Sequence, residues 1–273
     1  MRPGQLDARS VSLLAGDVRL HARVWAHPAP TRPPVLVLHG IFESWRSFAG
    51  FATELAADRT VYCLDLRGHG DSARPGVGYR FADYAADVLA LLDELDEPAV
   101  DLLGHSLGAN VALFAASAGH GALGRIVVID PPVLLAEDWP VVHDMMRREW
   151  LLAREPLDAI VAELASTSDR PRDWLEMIAA ALAGTADGVF AAMAGGEQGT
   201  VAWPELLGRV TVPTLAVAAD PAKPGAQLTG PRLAELRRGV PHAEVHVVAG
   251  AAHHVEVDQP VVLRELVETF LAT

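Results

Sequence analysis

The chain contains little lysine, tyrosine and cysteine for its length. Its 273 residues include one lysine, Lys223, one cysteine, Cys63, and three tyrosines. A single cysteine excludes an intrachain disulfide, and its place in an apolar run predicts a buried strand thiol. The formal net charge of −13 disfavours nucleic acid and anionic membrane surfaces as partners, because both require clustered Lys and Arg side chains.

Long apolar segments are also missing. No window approaches the roughly 20 apolar residues of a membrane span, and the N-terminus shows no apolar core of signal-peptide length. No glycine-rich phosphate-binding loop precedes a lysine, and the adjacent His253 and His254 lack the spacing of a zinc site. We therefore expect a cytoplasmic protein without metal or cofactor that acts on a small molecule, and the oligomeric state stays open.

Short apolar runs alternate with amphipathic segments along most of the chain. The predicted strands are Val11–Leu14, Val18–Trp25, Val35–Leu38, Val61–Leu66, Ala99–Leu103, Ile126–Ile129, Thr214–Ala218 and Val245–Val248. The predicted helices include Trp45–Asp58, Phe81–Leu95, Ala109–Ala118, Leu233–Arg238 and Val261–Leu271. Uniformly apolar runs suit strands that are covered on both faces. The pattern predicts the α/β fold class, with a mostly parallel, doubly wound sheet of about eight strands.

One segment interrupts this alternation. From about Pro132 to Leu207 there is no apolar strand, only helical stretches such as 141–154, 157–165 and 174–182. The segment is too long for an ordinary loop. We expect a helical cap at 132–207 inserted into a core domain made of 1–131 and 208–273, lying over the carboxyl ends of the strands.

A serine lies at the sharpest predicted corner of the chain. The apolar run 99–103 leads into Gly104-His105-Ser106-Leu107-Gly108, and a helical stretch follows without a linker. Glycines two positions before and after a serine let a strand and a helix converge around it. This pattern predicts an exposed nucleophile at Ser106. The alternative, a serine that only caps the helix, is weaker because suitable partners follow downstream.

A serine nucleophile needs a base, and histidine is suited to this role near neutral pH. His253 follows the last predicted strand and is preferred over the adjacent His254 as the base. The base in turn needs an acid that orients it. Asp220 ends the strand 214–218 and is preferred, while Asp130, which ends the strand 126–129, stays open as the rival.

Taken as a set, these motifs resemble the α/β-hydrolase superfamily. The resemblance runs from about Pro33 to the C-terminus and rests on Leu38-His39-Gly40, the loop 65–72, Gly104–Gly108, Asp220, and Gly250–His253 followed by Asp258-Gln259-Pro260. Ala109 and Ala252 stand where many members have glycine. The resemblance implies a triad of Ser106, His253 and Asp220, and an oxyanion hole formed by the backbone N–H groups of Ile41 and Leu107.

The superfamily includes several chemistries, and some do not fit this chain. Dehalogenases and epoxide hydrolases resemble it but use an aspartate where Ser106 stands. Hydroxynitrile lyases place a lysine near the catalytic histidine, where this chain has His254. We expect a cofactor-independent serine esterase acting on esters, thioesters or lactones. The alternatives are a carbon–carbon bond hydrolase of vinylogous diketones, although the tryptophan that often follows the histidine is missing, and a ligand receptor with slow turnover.

The predicted cap is rich in large apolar side chains that either pack or line a pocket. The candidates for substrate contact are Phe42, Trp139, Met146, Trp150 and Phe190. With the acidic overall charge, they predict a neutral, fairly apolar acyl substrate. Three arginines of one cap helix would favour a carboxylate instead if they faced inward: Arg147, Arg148 and Arg154.

Overall fold

A computed structural model describes residues 7–196, 198 and 201–272. Its eight strands form one sheet in the order β1-β2-β4-β3-β5-β6-β7-β8. The strands are β1 Arg9–Ala15, β2 Val18–Trp25, β3 Val35–Leu38, β4 Val61–Leu64, β5 Val100–His105, β6 Leu123–Ile129, β7 Thr214–Ala219 and β8 Glu244–Val248. The pairs β1–β2 and β2–β4 are antiparallel and the others are parallel. The predicted α/β fold class is therefore confirmed.

Eleven α-helices are described in the same residues. They are α1 Ala49–Leu55, α2 Phe81–Leu95, α3 Leu107–Ala118, α4 Trp139–Leu152, α5 Leu157–Thr167, α6 Arg172–Ala183, α7 Asp187–Ala194, α8 Trp203–Leu207, α9 Gly230–Gly239, α10 Val255–Asp258 and α11 Pro260–Ala272. Where one helix was expected at 45–58, a 3₁₀ turn, Trp45–Phe48, precedes α1.

Helices cover both faces of the sheet. Successive strand residues point to opposite faces, so Leu36 packs into the cluster that contains α2 and α3, while Val37 packs into the cluster that contains α1 and α11. In β5, Leu102 packs into the first of these clusters and Leu103 into the second. The apolar runs in the sequence reflect this double coverage.

Four helices between β6 and β7, α4 to α7, occupy the segment expected to form the cap. A separate apolar cluster lies inside it, with Ile160, Leu175 and Phe190 among its buried members. The short helix α8, which the prediction counts in the cap, contacts α3 and α9. The domain limits at 132 and 207 stay a prediction.

No single helix in the described part of the chain is long and apolar enough to cross a membrane. Only α6 and α7 taken together, bent by 83°, meet those criteria of length and composition.

Candidate active site

Ser106 lies at the corner between β5 and α3 with a strained backbone. Its φ of 51° and ψ of −113° are unfavourable for a residue with a side chain. A Cβ on Gly104 would lie 2.2 Å from the carbonyl oxygen of Gly108, and one on Gly108 would lie 2.1 Å from that of Leu38. Both glycines are therefore needed for α3 to pack directly on β3 and β5, and this packing holds Ser106 at the sheet edge.

His253 lies between β8 and α10 and contacts a buried carboxylate. Its Nδ1 is 2.7 Å from Oδ2 of Asp130, the residue after β6. Asp130 also accepts hydrogen bonds from the backbone N–H groups of Ala219, Gln227 and Leu228 at 3.2, 2.8 and 2.9 Å. Burial raises the pKa of Asp130, but the contact with His253 and these amides outweigh it and lower the pKa overall.

Asp220 does not contact His253, so the prediction of that contact is wrong. Its carboxylate instead accepts hydrogen bonds from the backbone N–H groups of Ala222 and Gly250 at 2.9 and 2.8 Å. These bonds close the turn after β7 against the turn after β8. The rival in the sequence, Asp130, holds the histidine because its positive φ of 43° turns the chain at the end of β6.

The contact with Asp130 determines which nitrogen of His253 carries the proton. An ionised carboxylate only accepts hydrogen bonds, so Nδ1–H of His253 donates to Asp130 and Nε2 keeps its lone pair. Burial lowers the pKa of His253, the hydrogen bond to Asp130 raises it, and His105 and His254 lower it, with a net lowering. The ring is therefore neutral at neutral pH.

Ser106 and His253 line the same cavity, which has a volume of about 290 Å³. Its remaining wall is Ile41, Phe42, Glu43, Phe81, Leu107, Pro132, Leu134, Val142, Met145, Met146, Glu149, Leu164, Ile178, Leu182, Met193, Gln227 and His254. Most of these side chains are apolar. The wall thus joins loops at the carboxyl ends of the strands to the inner faces of α4, α5 and α6.

The two residues expected to form an oxyanion hole, Ile41 and Leu107, both line this cavity. Leu107 is the first residue of α3, and the N–H group at that position has no partner within a helix. Ile41 follows the buried His39-Gly40 at the end of β3. Their role in binding an oxyanion stays a prediction.

Only part of the expected substrate wall lies at the cavity. Phe42 and Met146 line it, whereas Trp139, Trp150 and Phe190 do not. Phe190 stacks behind Phe42 at a ring distance of 5.0 Å, and Trp150 stacks on Phe190 at 6.2 Å. Trp139 packs against His143 instead. Trp139 belongs to the buried cluster of the core, whereas Phe190 belongs to the cluster of the cap and Trp150 packs against it.

Neither arginine nor lysine occurs among the described residues of the wall. Arg147 forms an ion pair with Asp144 at 3.3 Å on the exposed side of α4. Arg154 forms an ion pair with Asp187 at 2.9 Å and lies over the ring of Trp150. Arg148 is exposed. The cap arginines therefore do not offer a carboxylate site in the cavity.

A buried charged cluster that sequence reasoning missed lies behind His253. His105 Nε2 is 3.1 Å from the carbonyl oxygen of His253, and its Nδ1 is 3.0 Å from Oε1 of Glu43. His254 Nδ1 is 3.0 Å from Oε1 of Glu256. Both ring nitrogens of His105 face acceptors, as an imidazolium requires. Burial lowers the pKa of His105, but Glu256 and Glu43 outweigh it and raise the pKa to about 10.

Two groups of side chains in the described residues come close enough together to hold a metal ion. One contains Glu43, His105 and His254, and the other contains His21, Asp65 and Asp71. In each group a histidine already forms a hydrogen bond with a carboxylate, at 3.0 Å for His105–Glu43 and 2.8 Å for His21–Asp65. The absence of a metal stays a prediction.

Known proteins resemble this chain over most of its length. The sequence model of the alpha/beta hydrolase family matches residues 35–266. An uncharacterized protein from Mycobacterium tuberculosis is 36% identical over 101 residues, which span 37% of this chain but only 30% of that protein. A 2-(acetamidomethylene)succinate hydrolase from Mesorhizobium japonicum is 29% identical over 257 residues, 88% of each chain. A crystal structure of E-2-(acetamidomethylene)succinate hydrolase superposes with a TM-score of 0.82 at 26% identity, covering 98% of this chain and 100% of the other.

Proposed function

Because the chain belongs to the alpha/beta hydrolase family, we propose that it hydrolyses carboxylic esters, thioesters or lactones by a serine mechanism. In this proposal Ser106 is the nucleophile, His253 the general base and Asp130 the acid that orients it. The observation that carries the proposal is the strained Ser106 on the same cavity as His253, whose Nδ1 is 2.7 Å from Asp130.

The proposed reaction proceeds in two halves. The Oγ atom of Ser106 bonds to the acyl carbon while its proton moves to Nε2 of His253, and the N–H groups of Ile41 and Leu107 bind the oxyanion. The bond to the leaving alcohol, thiol or lactone oxygen then breaks, and that group takes the proton from His253. Water attacks the acyl-enzyme with the same histidine as base, which releases the acid and restores Ser106.

An acyl compound that is neutral and fairly apolar around the scissile bond suits the described wall best. The relative from Mesorhizobium is named for hydrolysis of a succinate derivative, which carries two carboxylates. In this chain the wall carries the carboxylates Glu43 and Glu149 and apolar side chains such as Met145 and Met146, without Arg or Lys among its described members. A dicarboxylate would meet no arginine or lysine among the described members of this wall, so we propose a different substrate class.

The proposal is tested with a panel of neutral esters of increasing chain length, their carboxylate-bearing analogues and a vinylogous diketone. We expect kcat/KM to rise with chain length by up to about fourfold for each added methylene, the equivalent of ~0.8 kcal/mol. Preference for the carboxylate analogues would contradict the substrate class. Efficient cleavage of the diketone with poor ester turnover would make carbon–carbon bond hydrolysis the better assignment.

The nucleophile is tested with Ser106→Ala, which we expect to lower kcat on the best ester by about 10³-fold or more. Ser117→Ala is the matched control, because Ser117 lies on α3 and donates only to the backbone oxygen of Phe114. Near wild-type activity of Ser106→Ala would contradict the serine mechanism. A stoichiometric burst in the wild type without further turnover would instead indicate a receptor.

A further inference from the structure

One face of α4 forms a continuous wall of the cavity. Val142, Met145, Met146 and Glu149 all line it, and their spacing of three and four residues places them on one side of a helix. The first three are apolar and the last is a carboxylate. Helical geometry therefore directs Glu149 to the same space as the two methionines.

Glu149 belongs to the outer part of this wall. Ser106 and Leu107 at the inner end are buried, whereas Glu149, Leu164 and Ile178 are half-buried and Met145 is 40% exposed. We call these last four residues, which come from α4, α5 and α6, the rim. A molecule with its scissile bond at Ser106 would extend past apolar side chains toward the rim.

The carboxylate of Glu149 has no hydrogen bond or ion pair with another side chain among the residues that the structure describes. Its charged neighbours are Arg148, which is exposed, and Glu163 on α5. Burial raises the pKa of Glu149, Arg148 lowers it and Glu163 raises it, with a net raising. A partly desolvated carboxylate without a partner is stabilised by a cation that approaches it.

We propose that Glu149 is a specificity-determining residue that binds an ammonium group at the rim end of the substrate. The substrate class is then an acyl compound that is apolar around the scissile bond and cationic at its far end. This inference rests on the proposed ester hydrolysis. The negative net charge of the protein would favour cationic substrates in general, whereas this inference assigns the preference for the ammonium group to the side chain of Glu149.

The test uses two esters of the same shape that differ only in charge, butyrylcholine and 3,3-dimethylbutyl butyrate. In wild-type protein we expect kcat/KM to favour the ammonium ester by about tenfold. In Glu149→Gln the ratio should approach one, and in Glu149→Lys it should fall below one. Each ratio is measured within a single variant, so an altered folded fraction cancels.

Asp144→Asn is the matched control, because it removes the same charge from the exposed side of α4, where Asp144 pairs with Arg147. Its ratio should equal that of the wild type. A wild-type ratio of one, an unchanged ratio in Glu149→Gln, or an equal fall in Asp144→Asn would overturn the assignment.

Failure of the proposed function is distinguishable from failure of this inference. If neither ester is hydrolysed, calorimetric binding of butyrylcholine and of its neutral isostere replaces the kinetic measurement. About tenfold tighter binding of butyrylcholine by the wild type than by Glu149→Gln would support the role of Glu149 without esterase activity. Equal binding by both proteins would overturn it.

Discussion

At the scale of single residues, the pKa of His253 depends on burial, on a neighbouring carboxylate and on two neighbouring histidines. Burial lowers its pKa, the hydrogen bond to Asp130 raises it, and His105 and His254 lower it, so the pKa lies below the ordinary 6.5. The proposed mechanism requires the neutral ring of His253, so the fraction of active base decreases only when the pH falls through this lowered pKa. We predict that the acid limb of kcat/KM for an uncharged ester has its midpoint below pH 6.5. An acid limb with its midpoint at or above 6.5 would contradict this.

The imidazolium of His105 contributes to the lowered pKa of His253. The ring of His105 faces Glu43, Glu256, His254 and the ring of His253, whose centroid is 4.7 Å away. We predict that His105→Gln moves the acid limb of kcat/KM to higher pH, because it removes a positive charge beside the base and leaves the buried carboxylates uncompensated. Breaking such a buried pair should also lower the free energy of unfolding by about 3–5 kcal/mol.

The double variant His105→Gln/Glu43→Gln is the control for this effect. Removal of one uncompensated carboxylate should recover part of the free energy of unfolding, measured by urea denaturation, and return the acid limb toward lower pH. If the single variant leaves the acid limb where it is in the wild type, His105 has only a structural role.

The two aspartates are expected to respond differently to the same change. Asp130→Asn presents an amide to His253 and favours the wrong ring tautomer, so kcat should fall by up to about 10⁴-fold. Asp220→Asn should cost far less, because Asp220 only closes the turns around Ala222 and Gly250. Esterase kinetics of both variants decide this, with urea denaturation to show that each is folded. A larger loss in Asp220→Asn would return the role to that residue.

At the scale of secondary-structure elements, the close approach of α3 to β3 depends on Gly108. An added Cβ would lie 2.1 Å from the carbonyl oxygen of Leu38, and backbone atoms there cannot move aside cheaply. We predict that Gly108→Ala lowers the free energy of unfolding by about 1–3 kcal/mol. It should also lower kcat, because the shift of α3 displaces Ser106 and the N–H group of Leu107.

Gly121→Ala is the control for this prediction. A Cβ on Gly121 meets no described atom within 4 Å, so its unfolding free energy and kcat should stay close to those of the wild type. Equal effects of the two alanines would show that the contact between α3 and β3 does not position Ser106.

The prediction from sequence succeeded best at this scale. The strands and the sharp corner at Ser106 were predictable because short apolar runs and paired glycines are local signals. The sequence did not predict that residues 45–48 form a separate 3₁₀ turn before α1, since a 3₁₀ turn and an α-helix have similar apolar spacing over a single turn. Here Ser44, whose side chain accepts from the N–H of Arg46, starts the shorter turn.

At the scale of the whole molecule, several described contacts connect the cap with the core, and two of them lie near the cavity and the histidine loop. Phe190 of α7 stacks on Phe42, which follows β3, at 5.0 Å. Arg170, between α5 and α6, forms an ion pair with Asp258 at 2.7 Å. Asp258 also accepts a hydrogen bond from the N–H of Ala252 at 2.8 Å, so Asp258 connects the cap to the loop of His253.

We predict that Phe190→Ala lowers the free energy of unfolding by about 3–5 kcal/mol and raises KM. The substitution leaves a void between Phe42 and the cap cluster, which loosens the wall of the cavity. Val141→Ala is the control, because Val141 on α4 is 69% exposed and its truncation should change the stability by less than about 0.5 kcal/mol. Urea denaturation and ester kinetics measure both effects. A small loss in Phe190→Ala would mean that the stack does not hold the cap.

The sequence by itself determined the order of strands and helices, the place of Ser106 and the histidine loop, because these depend on patterns within a few residues. Only the tertiary structure brings one of the two candidate acids, Asp130, to His253, since Asp130 and Asp220 follow adjacent parallel strands at the same sheet edge. The backbone turn after each strand directs one carboxylate to His253 and the other to the amides of Ala222 and Gly250. The face of each cap helix that meets the cavity was likewise set by packing between distant segments, which is why Glu149 lines the wall while Trp139 and Trp150 do not.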